Sequence, residues 1–289
     1  MKSNLLFLSF FICMSSGSYA QIDFPSLSPK GTLSQQVGNT TISIEYERPS
    51  VRNRVIFGGL VPWNKVWRTG AGYCTKISFD KEVIVGGQSV AAGTYSLFTI
   101  PSPEEWMVIL NSDVSLYGSY DYDPTKDVAR FHVPSQRSVR FYESMTLDID
   151  IVPNNAQIYF SWANTQISFP VQTSTDHIIQ EYIEKELMTE KSADAAVYAS
   201  AAAYLLVEDL DFFRASWLVN KSFELEKMEF AYRIQMELME EVGYMSKAKE
   251  AAETGLLFVQ QKDFGSESDK QRTIQHWQNE INRLQKLLD

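Results

Sequence analysis

Between residues 41 and 162, apolar and polar side chains alternate with a period of two in short runs. The run TISIEY over 41–46 is followed by 75–79, TYSLFTI over 94–100, WMVIL over 106–110, 128–133, MTLDIDIV over 145–152 and QIYFSW over 157–162. Rich in β-branched and aromatic residues, these runs predict strands with one face toward a core. Turn signals separate them at Gly38-Asn39, Gly86-Gly87, Ala92-Gly93, Pro101-Ser102-Pro103 and Pro153-Asn154-Asn155. Closely spaced strands with no helical period between them predict an antiparallel β-sandwich or barrel-like sheet pair.

Two hairpins can be placed. Residues 82–85 and 88–90 flank the two-residue loop Gly86-Gly87, and 94–100 and 106–110 flank residues 101–105. In TYSLFTI, Tyr95, Leu97 and Thr99 share one face and Ser96, Phe98 and Ile100 the other. Neither face is purely polar, which places this strand in mid-sheet.

After Pro170 the period becomes helical. DHIIQEYIEKELM over 176–188 puts Ile178, Ile179, Tyr182, Ile183 and Leu187 on one face. Further helices are predicted over 193–207, 210–225, 229–241, 246–260 and 268–288, with Gly243 at a helix stop. A shift of about 33 residues superimposes 210–225 on 246–260, matching Ala215 to Ala248, Val219 to Ala252, Ser222 to Gly255 and Leu225 to Phe258. Small residues at such positions let antiparallel helices approach closely. Residues 193–260 therefore resemble tetratricopeptide repeats, with the outer helices as caps. The resemblance is incomplete: Met236 stands where the first unit has Ala203, and neither unit has a terminal proline. A non-repeat bundle of four to six helices is the alternative.

The fold class expected is thus α+β multidomain, an N-terminal antiparallel β-sandwich or barrel-like domain before an all-α helical-hairpin domain. The domain bounds are 1–20 for a signal peptide, 21–172 for the β domain and 173–289 for the helices. Lys2, the apolar run LLFLSFFI over 5–12 and the small residues Ser18 and Ala20 have the form of a cleavable export signal. Cleavage after Ala20 leaves a mature chain, periplasmic or extracellular, with no membrane span. Lipidation at Cys13 is the rival, opposed by the bulky Ile12 before it. Only Cys74 then remains, too few for a disulfide or a cysteine-based zinc site, and it reads as a buried strand residue.

Charge changes the picture in one place. The chain carries a formal net charge of −10, which argues against a general nucleic-acid-binding role. Much of this acidity follows Val171, with 22 acidic against 13 basic residues. Residues 48–79, in contrast, hold Arg48, Arg52, Arg54, Lys65, Arg68 and Lys76 and no acid. The guanidinium and ammonium groups suit a carboxylate, phosphate or sulfate, and Trp63 and Trp67 offer apolar faces to a ring. Candidate ligand-binding residues are Arg48, Arg54, Trp63, Lys65, Trp67 and Arg68. The structural alternative makes Trp67 a core plug and pairs Arg68 internally with Glu47 or Asp148.

The same stretch carries a family resemblance. Arg48-Pro49-Ser50, Arg54, IFGGLVP over 56–62, KVWRTGA over 65–71, AGTYSLFTIP over 92–101 and Glu105-Trp106 follow one another in this order along the chain. Residues 25–170 resemble the bacterial domain-of-unknown-function family 2911, with Trp63 a mild variation on its pattern. An exported domain of this kind before helical repeats looks like a Bacteroidota-type protein. The resemblance implies no established activity.

Catalytic and metal motifs are poor. His132, His177 and His276 stand at no metal-ligand spacing, and no GxSxG, P-loop or GxGxxG occurs. Asp121, Asp123 and Asp127 lack the glycine and the glutamate of a calcium loop and read as a solvated turn. Asp148 and Asp150 read as exposed. No cofactor, metal or catalytic residue is assigned. The leading reading is a non-enzymatic binding module: a β domain for a small anionic or carbohydrate ligand or a surface partner, and a helical tail for protein or peptide contacts. The rivals are a hydrolase-type enzyme with His132 as base, and a structural adaptor.

Overall fold

The computed structural model describes residues 23–208, 211–263 and 265–289. The expected signal peptide over 1–20, its cleavage point, Cys13 and Leu210 lie outside them. Two compact units divide the chain, Met1–Gln172 and Thr173–Asp289.

The first unit holds two antiparallel sheets. Strands β1 (Lys30–Val37), β2 (Thr40–Glu47), β3 (Thr75–Phe79), β6 (Gly93–Ile100), β7 (Glu105–Asn111) and β8 (Asp127–Pro134) form one, in the order β1-β2-β3-β6-β7-β8. Strands β4 (Val83–Val85), β5 (Gln88–Val90), β9 (Gln136–Val152) and β10 (Asn155–Thr173) form the other, in the order β5-β4-β10-β9. The alternation is physical: β2 buries every second residue, Ile42, Ile44 and Tyr46 among them. These side chains share one core with Ile77, Trp106 and Val108 of the first sheet and Leu147, Ile158 and Phe160 of the second. The Tyr46 hydroxyl links the sheets, accepting from the Leu147 amide at 3.1 Å and donating to the Leu147 carbonyl at 3.4 Å.

β6 lies between β3 and β7 and buries both faces. Leu97 enters the shared core, while Phe98 packs with Cys74, Ile109 and Leu116 on the far side. β1 escaped the sequence pattern because it is an edge strand of mostly polar residues, with only Val37 buried. β9 and β10 run well beyond the predicted 145–152 and 157–162. Their register shifts between Ser161 and Ala163 and again before Thr165, and Ala163 has φ 53°. Such irregularities break the period of two and hide the continuity of a strand.

The second unit contains α1 (Thr175–Tyr182), α2 (Ala195–Val207), α3 (Phe212–Leu225), α4 (Glu229–Glu241), α5 (Met245–Gln261) and α6 (Glu267–Leu288). The helix predicted over 176–188 ends at Tyr182 and continues as a π-helical turn, Ile183–Leu187, which still buries Ile183 and Leu187. Asp194 and Asp211 cap α2 and α3 through their carboxylates, satisfying amides that the helix leaves free. The 33-residue correspondence is visible in burial: Ala215, Val219 and Ser222 on α3, and Ala248, Ala252 and Gly255 on α5, are all buried. Leu225 departs from it, at 41% exposure.

Gly255 shows what the small residues do. A Cβ there would lie 2.8 Å from the ring of Trp277, which is fully buried on α6. Alanine ordinarily favours a helix over glycine by about 1 kcal/mol. Here Gly255→Ala is expected to destabilise the chain by about 1–3 kcal/mol, because Trp277 must move. A rise in the denaturation midpoint would contradict this packing.

Candidate functional site

The connection between β2 and β3 is long and irregular, yet tightly held. Phe57 packs on Trp106 with ring centres 4.8 Å apart, and Trp67 stacks on Trp162 at 5.9 Å with planes 17° apart. Trp106 and Trp162 are themselves fully buried. Trp67 exchanges two backbone hydrogen bonds with Thr99, at 2.7 and 2.9 Å, and its indole N–H donates to the Gly70 carbonyl. The Thr75 amide donates to the Arg68 carbonyl at 3.2 Å. Thr69 between them has φ 53°, a left-handed conformation that is unfavourable for a β-branched residue. Its carbonyl accepts from the Thr75 hydroxyl at 2.6 Å, and its own hydroxyl meets that of Thr99 at 3.0 Å. The surrounding bonds hold this strained backbone in place and thereby fix Arg68.

Against this framework lies a cleft of about 550 Å³. Arg52, Arg54, Lys65 and Arg68 line it, together with apolar surface from Leu60, Val66 and Trp67. No Asp, Glu, Asn, Gln or His is among its lining residues. The four cations are held differently. Arg54 donates from Nε to the Val51 carbonyl at 3.0 Å and from Nη2 to the Ser50 carbonyl. Arg52 donates from Nη2 to the Leu27 carbonyl at 3.1 Å. The side chains of Lys65 and Arg68 make no hydrogen bond or ion pair with any described residue, and the Arg68 Nε is buried without an acceptor.

Of the six sequence candidates, Arg54, Lys65, Trp67 and Arg68 converge on the cleft. Arg48 and Trp63 are not among its lining residues. Arg48 turns to β9, donating to the Met145 carbonyl and the Thr146 hydroxyl, both at 3.1 Å. Trp63 stacks on Phe57 at 5.9 Å and closes the Gly58 turn. The structural alternative of an internal partner for Arg68 is not met at either carboxylate named for it. Glu47 lies against Gly72 and accepts from the Tyr73 amide, and Asp148 accepts from the Ile149 amide.

Sequence reading missed part of the lining. Ser119 and Tyr120 come from the loop between β7 and β8, and Trp162 from β10. Tyr120 is 85% exposed. Gly118 before it has φ 75°, and a Cβ there would lie 2.8 Å from the Tyr120 ring and 3.3 Å from the Arg68 Nη1. Glycine thus lets this loop close over the guanidinium. The chain separation of residues 68 and 118 left no local signal of the approach.

The other candidates are placed elsewhere. His132, half exposed on β8, lies 3.5 Å from Glu105 in a shallow depression. The Ser102 hydroxyl nearby donates to the Glu105 carbonyl at 2.6 Å, so its proton is committed to the backbone. Asp123 caps the turn Pro124–Lys126, and Asp127 accepts from Asn111, Tyr122 and Arg130. These bonds organise the acidic turn; no group of three or more metal-ligating side chains occurs among the described residues. The Cys74 thiol donates to the Gly118 carbonyl at 2.9 Å, and burial pushes it up to about 11, far from a reactive thiolate.

Residues 28–171 match the model of a protein family of unknown function, DUF2911. The DUF2911 region therefore contains both sheets almost entirely, and the cleft apart from Leu27. No curated protein and no solved structure matches the chain. Among the described residues no helix is long and apolar enough to cross a membrane.

Proposed function

We propose that the DUF2911 region is a β-sandwich binding module that holds a small anionic ligand in the cleft at Lys65 and Arg68. One observation carries the reading: four cationic side chains line a cavity with no carboxylate among its described lining residues, and two of the four have no partner among the described residues. For Arg68, whose Nε is buried without an acceptor, this is unfavourable unless an anion joins it, because hydration lost there is not replaced. The volume is in the range of small-molecule sites. The shared core of the two sheets supports the sandwich description.

The helical unit, on this reading, is a tetratricopeptide-like tail for protein or peptide contacts. The repeated burial of small residues on α3 and α5 supports it. The leading twenty residues support an exported protein. A mature N-terminus at Gln21, read by mass spectrometry of the secreted or periplasmic fraction, is the expected check. Retention of residues 1–20 there would count against export by cleavage.

Trp67 and Trp162 at the cleft make tryptophan emission the direct readout of occupancy. Titration with a panel of small organic phosphates and carboxylates is expected to change emission saturably for at least one class. The affinity is expected to fall with added sodium chloride, since exposed charges are screened over about 8 Å at physiological ionic strength. An emission unchanged by every anion would remove the reading.

A further inference from the structure

The donors and acceptors of the cleft are unequal, and this restricts its ligand further than charge alone. Arg52, Arg54, Lys65 and Arg68 supply only donors. The side chains able to accept are three hydroxyls, those of Ser28, Ser119 and Tyr120. A neutral sugar brings a donor with every hydroxyl and is commonly met by carboxylate or amide side chains that both accept and orient. No such side chain is among the described lining residues. A ligand that fits must instead be rich in acceptors and poor in donors.

The positions of the cations narrow the anionic group. Arg52 and Arg54 are tied to backbone carbonyls, whereas Lys65 and Arg68 are uncommitted. Lys65 and Arg68 alone bring about eight N–H donors, against the roughly four lone-pair sites of a carboxylate. A tetrahedral ester group presents three terminal oxygens and, as a phosphate, a charge near −2 at neutral pH. The remaining walls are apolar: Leu60, Val61, Pro62 and Val66, with Trp67 and the exposed ring of Tyr120. The indole N–H of Trp67 is spent on Gly70, so Trp67 contributes apolar surface and no donor.

From this pattern, which rests on the anion-site reading above, we infer that the ligand is a phosphate or sulfate ester of an apolar or aromatic body. The ester group meets Lys65 and Arg68, and the body lies along Trp67 and Tyr120. Neither a neutral sugar nor a bare inorganic anion satisfies both halves of the cleft.

Calorimetry of the full chain with phenyl phosphate, phenyl sulfate, inorganic phosphate, benzoate and methyl β-glucoside tests this, with Lys65→Ala and Tyr120→Ala as variants at exposed positions. At least one of the two phenyl esters is expected to bind at least about tenfold tighter than inorganic phosphate and than benzoate. Methyl β-glucoside is expected to give no binding heat. Lys65→Ala should weaken both the tighter phenyl ester and inorganic phosphate by about tenfold, and Tyr120→Ala only the ester. Whichever ester binds tighter identifies the group. Equal affinities for that ester and inorganic phosphate, both lowered by Lys65→Ala, would overturn the amphiphilic ligand but leave the anion site standing. So would benzoate binding as tightly, or the glucoside binding in competition with phosphate. If no anionic probe binds, or if Lys65→Ala changes nothing, both the inference and the site reading fail.

Discussion

The double variant Lys65→Ala, Arg68→Gln is expected to lose anion binding by on the order of 100-fold or more while keeping its fold. Each hydrogen bond to a charged group contributes about 1.5–3 kcal/mol, and these two side chains are the uncommitted donors of the cleft. Retention of the fold follows from the same observation. Lys65 is exposed, and replacing a surface residue without partners changes stability by about 0.5 kcal/mol or less. Arg68 is half-buried, with its Nε desolvated and unsatisfied, so removing its charge relieves a cost in the unliganded protein. The denaturation midpoint should therefore hold or rise as affinity falls. Tryptophan titration and thermal denaturation on the same samples check both halves. Wild-type affinity in the variant would show that the cations are not the binding groups. A collapse of stability would show that Arg68 is a structural residue.

The largest effect on stability is expected at Trp106. It is fully buried and touches Phe57 at 4.8 Å, Phe160 at 5.2 Å and Trp67 at 6.4 Å between ring centres. Trp106→Ala is expected to cost about 3–5 kcal/mol, the range for emptying a large aromatic site that cannot close. Because Phe57 and Trp67 rest on this ring, the cavity would loosen the connection that presents Lys65 and Arg68. Any folded fraction should therefore also bind anions more weakly than wild type. A midpoint within about 1 kcal/mol of wild type would mean that the aromatic cluster is not what holds the connection.

The aromatic cluster also explains why residues 48–79 were ambiguous as a sequence. A tryptophan that plugs a core and a tryptophan that walls a cleft have the same identity and the same neighbours in the chain. Trp67 does both, stacked on buried Trp162 and partly open to the cleft. Arg48 and Arg68 illustrate the same limit. Both are arginines in one acid-free segment, but Arg48 spends its donors on β9 and Arg68 on no described residue. The difference depends on strands almost a hundred residues away along the chain, which no local spacing encodes.

What the sequence by itself determined is local and periodic. Alternation along residues 41–47 and 75–79 specified strands and their buried faces, because side chains on a pleated strand point to opposite sides. The change to a helical period after Pro170 specified the helices, and the small residues at a 33-residue shift specified which helix surfaces pack closely. Only the tertiary structure decided the cleft. It arises where the β2–β3 connection meets the Gly118-Ser119-Tyr120 loop and Trp162, three segments distant in the chain. Their meeting is fixed by two sheets closing on one core, a long-range packing event that also decides which cations find a partner and which are left to a ligand.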